Sequence, residues 1–240
     1  MAEGVYDEDR IHAIVDSAPV LHVSFIPRAL DDDPFPTILP MIGCTGSFTH
    51  SNSAETPAPA IYIHGYVSSR LMKLPKSNQD DDLPLGTPVC IAATHVDGLV
   101  LAATPFNHSC NYRSAVIHGW ANIVTDPAEK LYALELITNH VIANRWENTI
   151  PPTDSDLKST GVLRVDIASA SAKVRAGEPG DADTKEVWLG VIPCWMVYGE
   201  PVPSGKNQVK EVPEHINNWV SKENERNGTY ARQVASQTQK

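Results

Sequence analysis

The stretch IYIHGYVSSRLM (Ile61–Met72), followed after a polar insert by TPVCIAATHVDGLVLAATPFNHSCNYRSAVIHGWANIV (Thr87–Val124), decides the fold. It holds three apolar runs rich in Val, Ile and Ala: Ile61–Gly65, Thr87–Val96 and Leu99–Thr104. Each is of strand length and each hands over to polar residues, the pattern of a β-barrel wall with chemistry at its rim. Asp97-Gly98, between the second and third runs, predicts a tight hairpin turn. The first run stops at Ser68, Ser69 and Arg70, two hydroxyls and a guanidinium, a composition suited to phosphate oxygens. A second polar cluster, His108 with Asn111, Tyr112, Arg113 and Ser114, stands at the mouth of the next strand, which is expected to run to Val124.

On the N-terminal side, Asp7 to Ala18 places Ile11, Ile14, Val15 and Ala18 on one stripe, an amphipathic helix stopped by Pro19. VLHVSF then alternates as a half-buried strand. After the acidic loop DDDPFP comes a second strand, Thr37 to Gly43, interrupted by Pro40. A proline removes a ladder donor, so an edge, a bulge or a ligand against the backbone is expected there. Thr45 to Ala60 reads as a loop. SSRLMKL reads as one or two helical turns whose leading N–H groups add to an anion site, and PKSNQDDDLPLG as a surface excursion.

On the C-terminal side, Asp126-Pro127-Ala128-Glu129 starts a helix that runs to about Asn144, with Leu131, Leu134, Ile137 and Val141 on its packed face. Gly161–Ile167 and Glu186–Pro193 read as strands separated by a turn at SAKVR and an acidic Gly/Asp loop. From Glu200 the composition becomes polar, with one helix expected from Glu214 to Asn224 and then a tail. Six or seven strands with few helices between them predict a mainly β, α+β protein built on an antiparallel barrel. Residues 1–200 are expected to form that domain and 201–240 a polar extension with a short helix.

The chain has 240 residues, 19 basic and 29 acidic, for a formal charge of -10. A nucleic-acid partner would require a basic face, so none is expected. No apolar run approaches the ~20 residues needed to span a bilayer, and the opening MAEGVYDEDR is acidic, so a cytoplasmic protein without a membrane partner is expected. Cys44, Cys90, Cys110 and Cys194 form no C-x-x-C pair, which points to free thiols and no zinc. Without H-E-x-x-H, G-x-S-x-G, G-x-G-x-x-G or Walker spacing, metalloprotease, hydrolase, Rossmann and kinase readings have no support.

The motifs PTILPMIG (Pro36–Gly43), IYIHG followed by SSR, DGLVLA (Asp97–Ala102), HSCNYRSAVIHGWA (His108–Ala121), SAKVR (Ser171–Arg175) and VWLGVIP (Val187–Pro193), in that order and spacing, carry a resemblance. The chain resembles the FMN-binding split-barrel superfamily, the pyridoxamine 5'-phosphate oxidase-like proteins, and within it the nitroimidazole-resistance branch. The resemblance covers roughly Ile11 to Pro201 and implies a six-stranded antiparallel split barrel, dimerised so that two FMN molecules lie across the interface. Carried over by position, Leu39, Pro40, Met41, Ile42 and Gly43 would lie along the flavin ring. His64 and Gly65 would approach its ribityl and pyrimidine side. Ser68, Ser69 and Arg70 would bind the phosphate, Asn111, Tyr112, Arg113 and Ser114 would border the site, and Trp188 would reach the flavin of the partner subunit.

The sequence departs from the authentic oxidase at Thr37 and Met41, where that enzyme carries Arg and Lys, and in its polar tail, where the oxidase has a basic strand that grips the vitamin. Vitamin B6 oxidation is therefore not the expected activity. The resemblance implies an FMN-dependent oxidoreductase acting on a small aromatic or nitroaromatic substrate, with no side chain assigned as acid or base. A second reading is a binding module holding flavin or haem without turnover, with His64 or His108 as axial ligand. A third is a dimeric scaffold with a vestigial site.

Overall fold

The computed structural model describes residues 3–26, 35–49, 57–74, 86–180 and 184–238. Most of the polar insert after Leu74 and of the acidic loop before Phe35 lies outside them. The chain forms two units, a larger one of residues Tyr6–Ala93 and Ala115–Ala172 and a smaller one of Met1–Val5, Thr94–Ser114 and Lys173–Lys240.

β1 (Glu3–Val5) belongs to the smaller unit, and α1 (Glu8–Ser17) opens the larger. Asp7 caps α1 by accepting a 2.8 Å hydrogen bond from the Arg10 N–H, and the expected stripe of Ile11, Ile14, Val15 and Ala18 is buried. β2 (Leu21–Phe25) buries Leu21, Val23 and Phe25 and exposes His22, as its alternation requires.

The proline-broken segment forms two strands, β3 (Thr37–Met41) and β4 (Gly43–Gly46), joined by Ile42 alone. β5 (Ala60–Tyr66), the one-turn α2 (Arg70–Lys73) and three long strands follow: β6 (Thr87–Leu101), β7 (Ser109–Ile123) and β8 (Thr160–Arg175). The sheet order is β3-β2-β6-β7-β8-β5-β4, an open path whose two ends are the strands flanking Ile42. The pairs β2–β3, β2–β6, β4–β5 and β5–β8 are antiparallel. This is the expected mainly β fold of split-barrel type with flanking helices. With β1 on β8 and β9 (Gly190–Pro193) on β6, the described residues contribute nine strands rather than six or seven. Pro40 lies on the edge strand β3, where its missing N–H breaks no interior ladder.

α3 (Pro127–Val141) begins as expected, the Asp126 carboxylate accepting from the N–H groups of Ala128 and Glu129 at 2.7 and 3.2 Å. Its packed face differs in part: Ile137 is buried and Leu134 packs on the core as expected, but Glu129 and Ala133 are buried with them whereas Leu131 and Val141 are exposed. The reason is polar. The Tyr62 hydroxyl donates to Glu129 Oε1 at 2.8 Å, with the Arg164 guanidinium 3.5 Å from the same oxygen. That network turns the helix so that its carboxylate faces the sheet, while Tyr132 packs edge-on against Tyr62. A short helix absent from the sequence reading, α4 (Asp154–Ser159), follows with a capping box between Thr153 and Asp156.

In the smaller unit the expected hairpin at Asp97-Gly98 does not form. Both residues lie inside β6, and β9 pairs alongside with Gly98 opposite Pro193 and Leu99 opposite Ile192. A Cβ at Gly98 would lie 2.8 Å from Val191 Cγ1, so the glycine serves close strand approach and not a turn. The reversal comes at Ala102–His108, around a 3-10 turn at Pro105–Asn107. SAKVR likewise continues β8 to Arg175 instead of turning, and β9 begins only at Gly190.

The last helix, α5 (Glu214–Ala235), runs well past the expected end at Asn224. Gly228 in its middle would cost about 1 kcal/mol against alanine in an exposed helix. Here it is buried with Ala231 and Val234, and a Cβ would come within 3.4 Å of the Trp195 ring. Beyond the helix end, the Gly177 N–H donates to Val234 O at 3.1 Å and the Glu178 N–H to Gln237 O at 3.1 Å. Gly177 holds φ at +95°, a conformation suited to glycine.

Candidate functional site

In the larger unit, Leu39, Pro40 and Met41 lie on edge strand β3, Ile42 on the link, Gly43 at the head of β4 and His64 and Gly65 near the end of β5. Ser68 and Ser69 occupy the turn after β5, and Arg70 opens α2. Pairing of Leu21 with Met41 and of Gly43 with Ile63 sets their register. Ile38, Pro40 and Ile42 are exposed, whereas Leu39 and Met41 are partly covered. Gly43 carries no side chain because one would strike Ile63 and approach the Tyr62 carbonyl oxygen to 2.7 Å.

The serine-rich turn is pinned by backbone bonds: the Ser69 N–H donates to Tyr66 O at 2.8 Å and the Val67 N–H to Ser159 O at 3.2 Å. The Arg70 guanidinium lies within 3.5 Å of the Thr37 hydroxyl. Arg70 and Thr37 thus meet beside the edge strand, with Ser68 and Ser69 immediately before Arg70 in the chain. Because α2 is a single turn, it adds little helix dipole beside Arg70.

His64 is partly buried, and its Nδ1 lies inside the protein with no hydrogen-bond partner. Burial lowers its pKa from the ordinary imidazole value, which favours the neutral ring. His140 is lowered for the same reason, offset in part by Asp16 and by a hydrogen bond to the Ala18 backbone. Unfolding frees both rings to take up protons that the folded chain resists. Stability is therefore expected to fall as pH drops through about 6.5 toward the depressed folded values. Urea midpoints measured from pH 7.5 to pH 5 check this, and His140→Gln should flatten the slope. Cys44 is a poor nucleophile: burial, aided by Asp16, pushes its thiol up to about 12.

In the smaller unit the expected bordering residues form a network of their own. Asn111 is fully buried and donates to Gly177 O at 3.1 Å while accepting from the Arg175 guanidinium. Arg113 pairs bidentately with Asp97 at 2.8 and 2.9 Å and lies 4.0 Å over the Tyr230 ring. The Ser114 hydroxyl donates to Lys173 O at 3.2 Å, and Tyr112 is partly buried. Trp188, 66% exposed, precedes β9 and folds its ring over Gly190, where a Cβ would lie 2.6 Å from the indole. His108 is exposed, with Nδ1 3.0 Å from Thr104 O.

The sequence reading marked Thr37 only as a missing basic residue and did not place it against Arg70, nor Met72 and Gly161 beside Gly65. Thr37 has no local signal, since only strand pairing brings it to Arg70. Among the described residues no group of three or more His, Cys, Asp or Glu is placed to hold a metal ion, and no helix is long and apolar enough to cross a membrane.

A family model described as pyridoxamine 5'-phosphate oxidase matches residues 7–174. No curated protein matches the chain by sequence. Among solved structures, the flavocytochrome Anf3 from Azotobacter vinelandii is 28% identical with a TM-score of 0.68, covering 90% of this chain and 91% of its own. An FAD and heme binding protein from Mycobacterium smegmatis is 24% identical with a TM-score of 0.71, covering 90% and 97%. A candidate 5-nitroimidazole antibiotic resistance protein from Bacteroides thetaiotaomicron is 19% identical with a TM-score of 0.52, covering 72% and 87%.

Proposed function

The chain belongs to the pyridoxamine 5'-phosphate oxidase family, and from that premise we propose that it binds FMN as a homodimer and acts as a flavin-dependent oxidoreductase on a small aromatic compound, nitroaromatics included. The observation that carries this reading is the corner where Arg70 approaches Thr37 beside Ser68 and Ser69. The family's basic residue is missing at position 37, yet Arg70 delivers a guanidinium to the same place. Its charge, with the serine hydroxyls, would hold the phosphate. The main chain of Leu39–Gly43, on the edge of the sheet, would meet the polar rim of the ring. Exposed Ile38 and Ile42 offer an apolar strip for its faces and for a flat substrate. When bound, the flavin supplies hydride or electron transfer, and the protein supplies position and exclusion of water. A partner subunit is supported by the smaller unit, where Leu99 and Ile192, paired across β6 and β9, are both exposed on one ladder.

The orphaned Nδ1 of His64 favours a second reading, in which haem would be bound as well and the neutral imidazole would hold its iron. A similarity of 28% to a flavocytochrome over most of both chains supports it. His108, exposed and with one ring nitrogen at a carbonyl, is the weaker candidate. The absorbance spectrum of the purified protein tests both: flavin maxima near ~450 nm are expected, and light scattering should give a dimer. A Soret band that vanishes in His64→Ala would establish haem. Protein that takes up neither group from a micromolar solution would end the proposal.

A further inference from the structure

We infer that Met72, seated in a slot made by Gly65 and Gly161, is the positioning residue that sets where Arg70 presents its charge. This rests on the reading of Ser68–Arg70 as the phosphate corner. Gly65 and Gly161 stand directly opposite each other in the β5–β8 ladder. A Cβ at Gly161 would lie 2.9 Å from Met72 Sδ, and one at Gly65 would lie 3.1 Å from Met72 Cε. The thioether therefore occupies the space that two side chains would otherwise fill, and Met72 is 3% exposed. Neither glycine has a positive φ, so backbone conformation does not explain their presence. The requirement is for room.

The slot matters because of what it anchors. α2 is a single turn, too short to hold its own conformation, so its orientation must come from packing. Leu71 and Met72 are its buried residues, and Arg70 is next in the chain. The same Gly65 faces Met41 Cε, which would lie 3.6 Å from a Cβ there. One methionine thus registers the turn against β5 and β8, and a second brings β3, with Thr37, against the same glycine. The corner formed by Thr37 and Arg70 is the outcome of that stack.

Gly161→Ala is a mild test because what it meets, Met72 Sδ at 2.9 Å and Cγ at 3.3 Å, belongs to an unbranched side chain and not to the backbone. The protein should fold, but Met72 must move and α2 with it. FMN affinity should fall about tenfold, the equivalent of one charge-assisted contact, while riboflavin, which lacks the phosphate, should bind within about twofold of the parent. Gly65→Ala should show the same selectivity more weakly. Met72→Leu, which conserves volume and most stability, should also lose preference for FMN. In ligand-free protein, amide exchange across residues 66–74 should rise in Gly161→Ala. Folded Gly161→Ala and Met72→Leu proteins that keep the parental FMN preference and exchange rates would overturn the inference alone. A parent protein that does not prefer FMN to riboflavin would overturn the phosphate reading and this role with it.

Discussion

Arg113→Ala is expected to destabilise the protein by about 3–5 kcal/mol, the usual cost of stranding one member of a buried ion pair. Asp97, 4% exposed, has its carboxylate engaged by two guanidinium nitrogens, so removing the arginine leaves a buried charge without its partner. The loss is compounded on the other side of Arg113, which covers the Tyr230 ring of α5. The double variant Asp97→Leu/Arg113→Met should recover most of the loss, because an apolar pair of similar volume does not pay for desolvation. Urea midpoints of the three proteins read the difference. Amide exchange along α5 should rise in the single variant and return toward normal in the double. Equal midpoints for parent and Arg113→Ala would show that the pair contributes nothing to folding.

Arg70→Ala should leave stability within about 0.5 kcal/mol of the parent, since the side chain is exposed, and weaken FMN about 10- to 100-fold. That range corresponds to one hydrogen-bonded contact between a guanidinium and a doubly charged phosphate. Riboflavin should bind Arg70→Ala and parent alike. Arg70→Lys should recover only part of the affinity, because an ammonium retains the charge and loses the two-pronged geometry. The effect should shrink as salt is raised, the corner being open to solvent. Calorimetric or fluorescence titration at two ionic strengths gives all four quantities. Unchanged FMN affinity in Arg70→Ala would remove the phosphate assignment.

Much of this architecture is legible in the residues themselves. The stripe Ile11, Ile14, Val15 and Ala18, the cap at Asp126 and the alternation of VLHVSF are local signals with local causes, and each element stands where its pattern puts it. Three of the departures share one cause. Asp97-Gly98 has the composition of a tight turn, but the aspartate is claimed by an arginine sixteen residues on and the glycine by a strand from the far end of the chain. The face of α3 departs from its apolar pattern at Leu131 and Val141 because a buried glutamate is answered by Tyr62 and Arg164. α5 outruns Gly228 because that glycine is buried against the Trp195 ring. In each case a distant partner overrides a local propensity, and no window of sequence contains that partner.

The candidate site divides the same way. Ser68, Ser69 and Arg70 announce themselves by composition, whereas Thr37, Met72 and Gly161 gain meaning only through pairing.

The two margins of the open sheet are separated in the chain by Ile42 and nothing else. There is no slack at that point. A single inserted residue would shift β3 or β4 by one step against its neighbour and exchange the faces of every side chain on it. A change in chain length is therefore tolerated least between Thr37 and Gly46, where the two strands leave no spare residue.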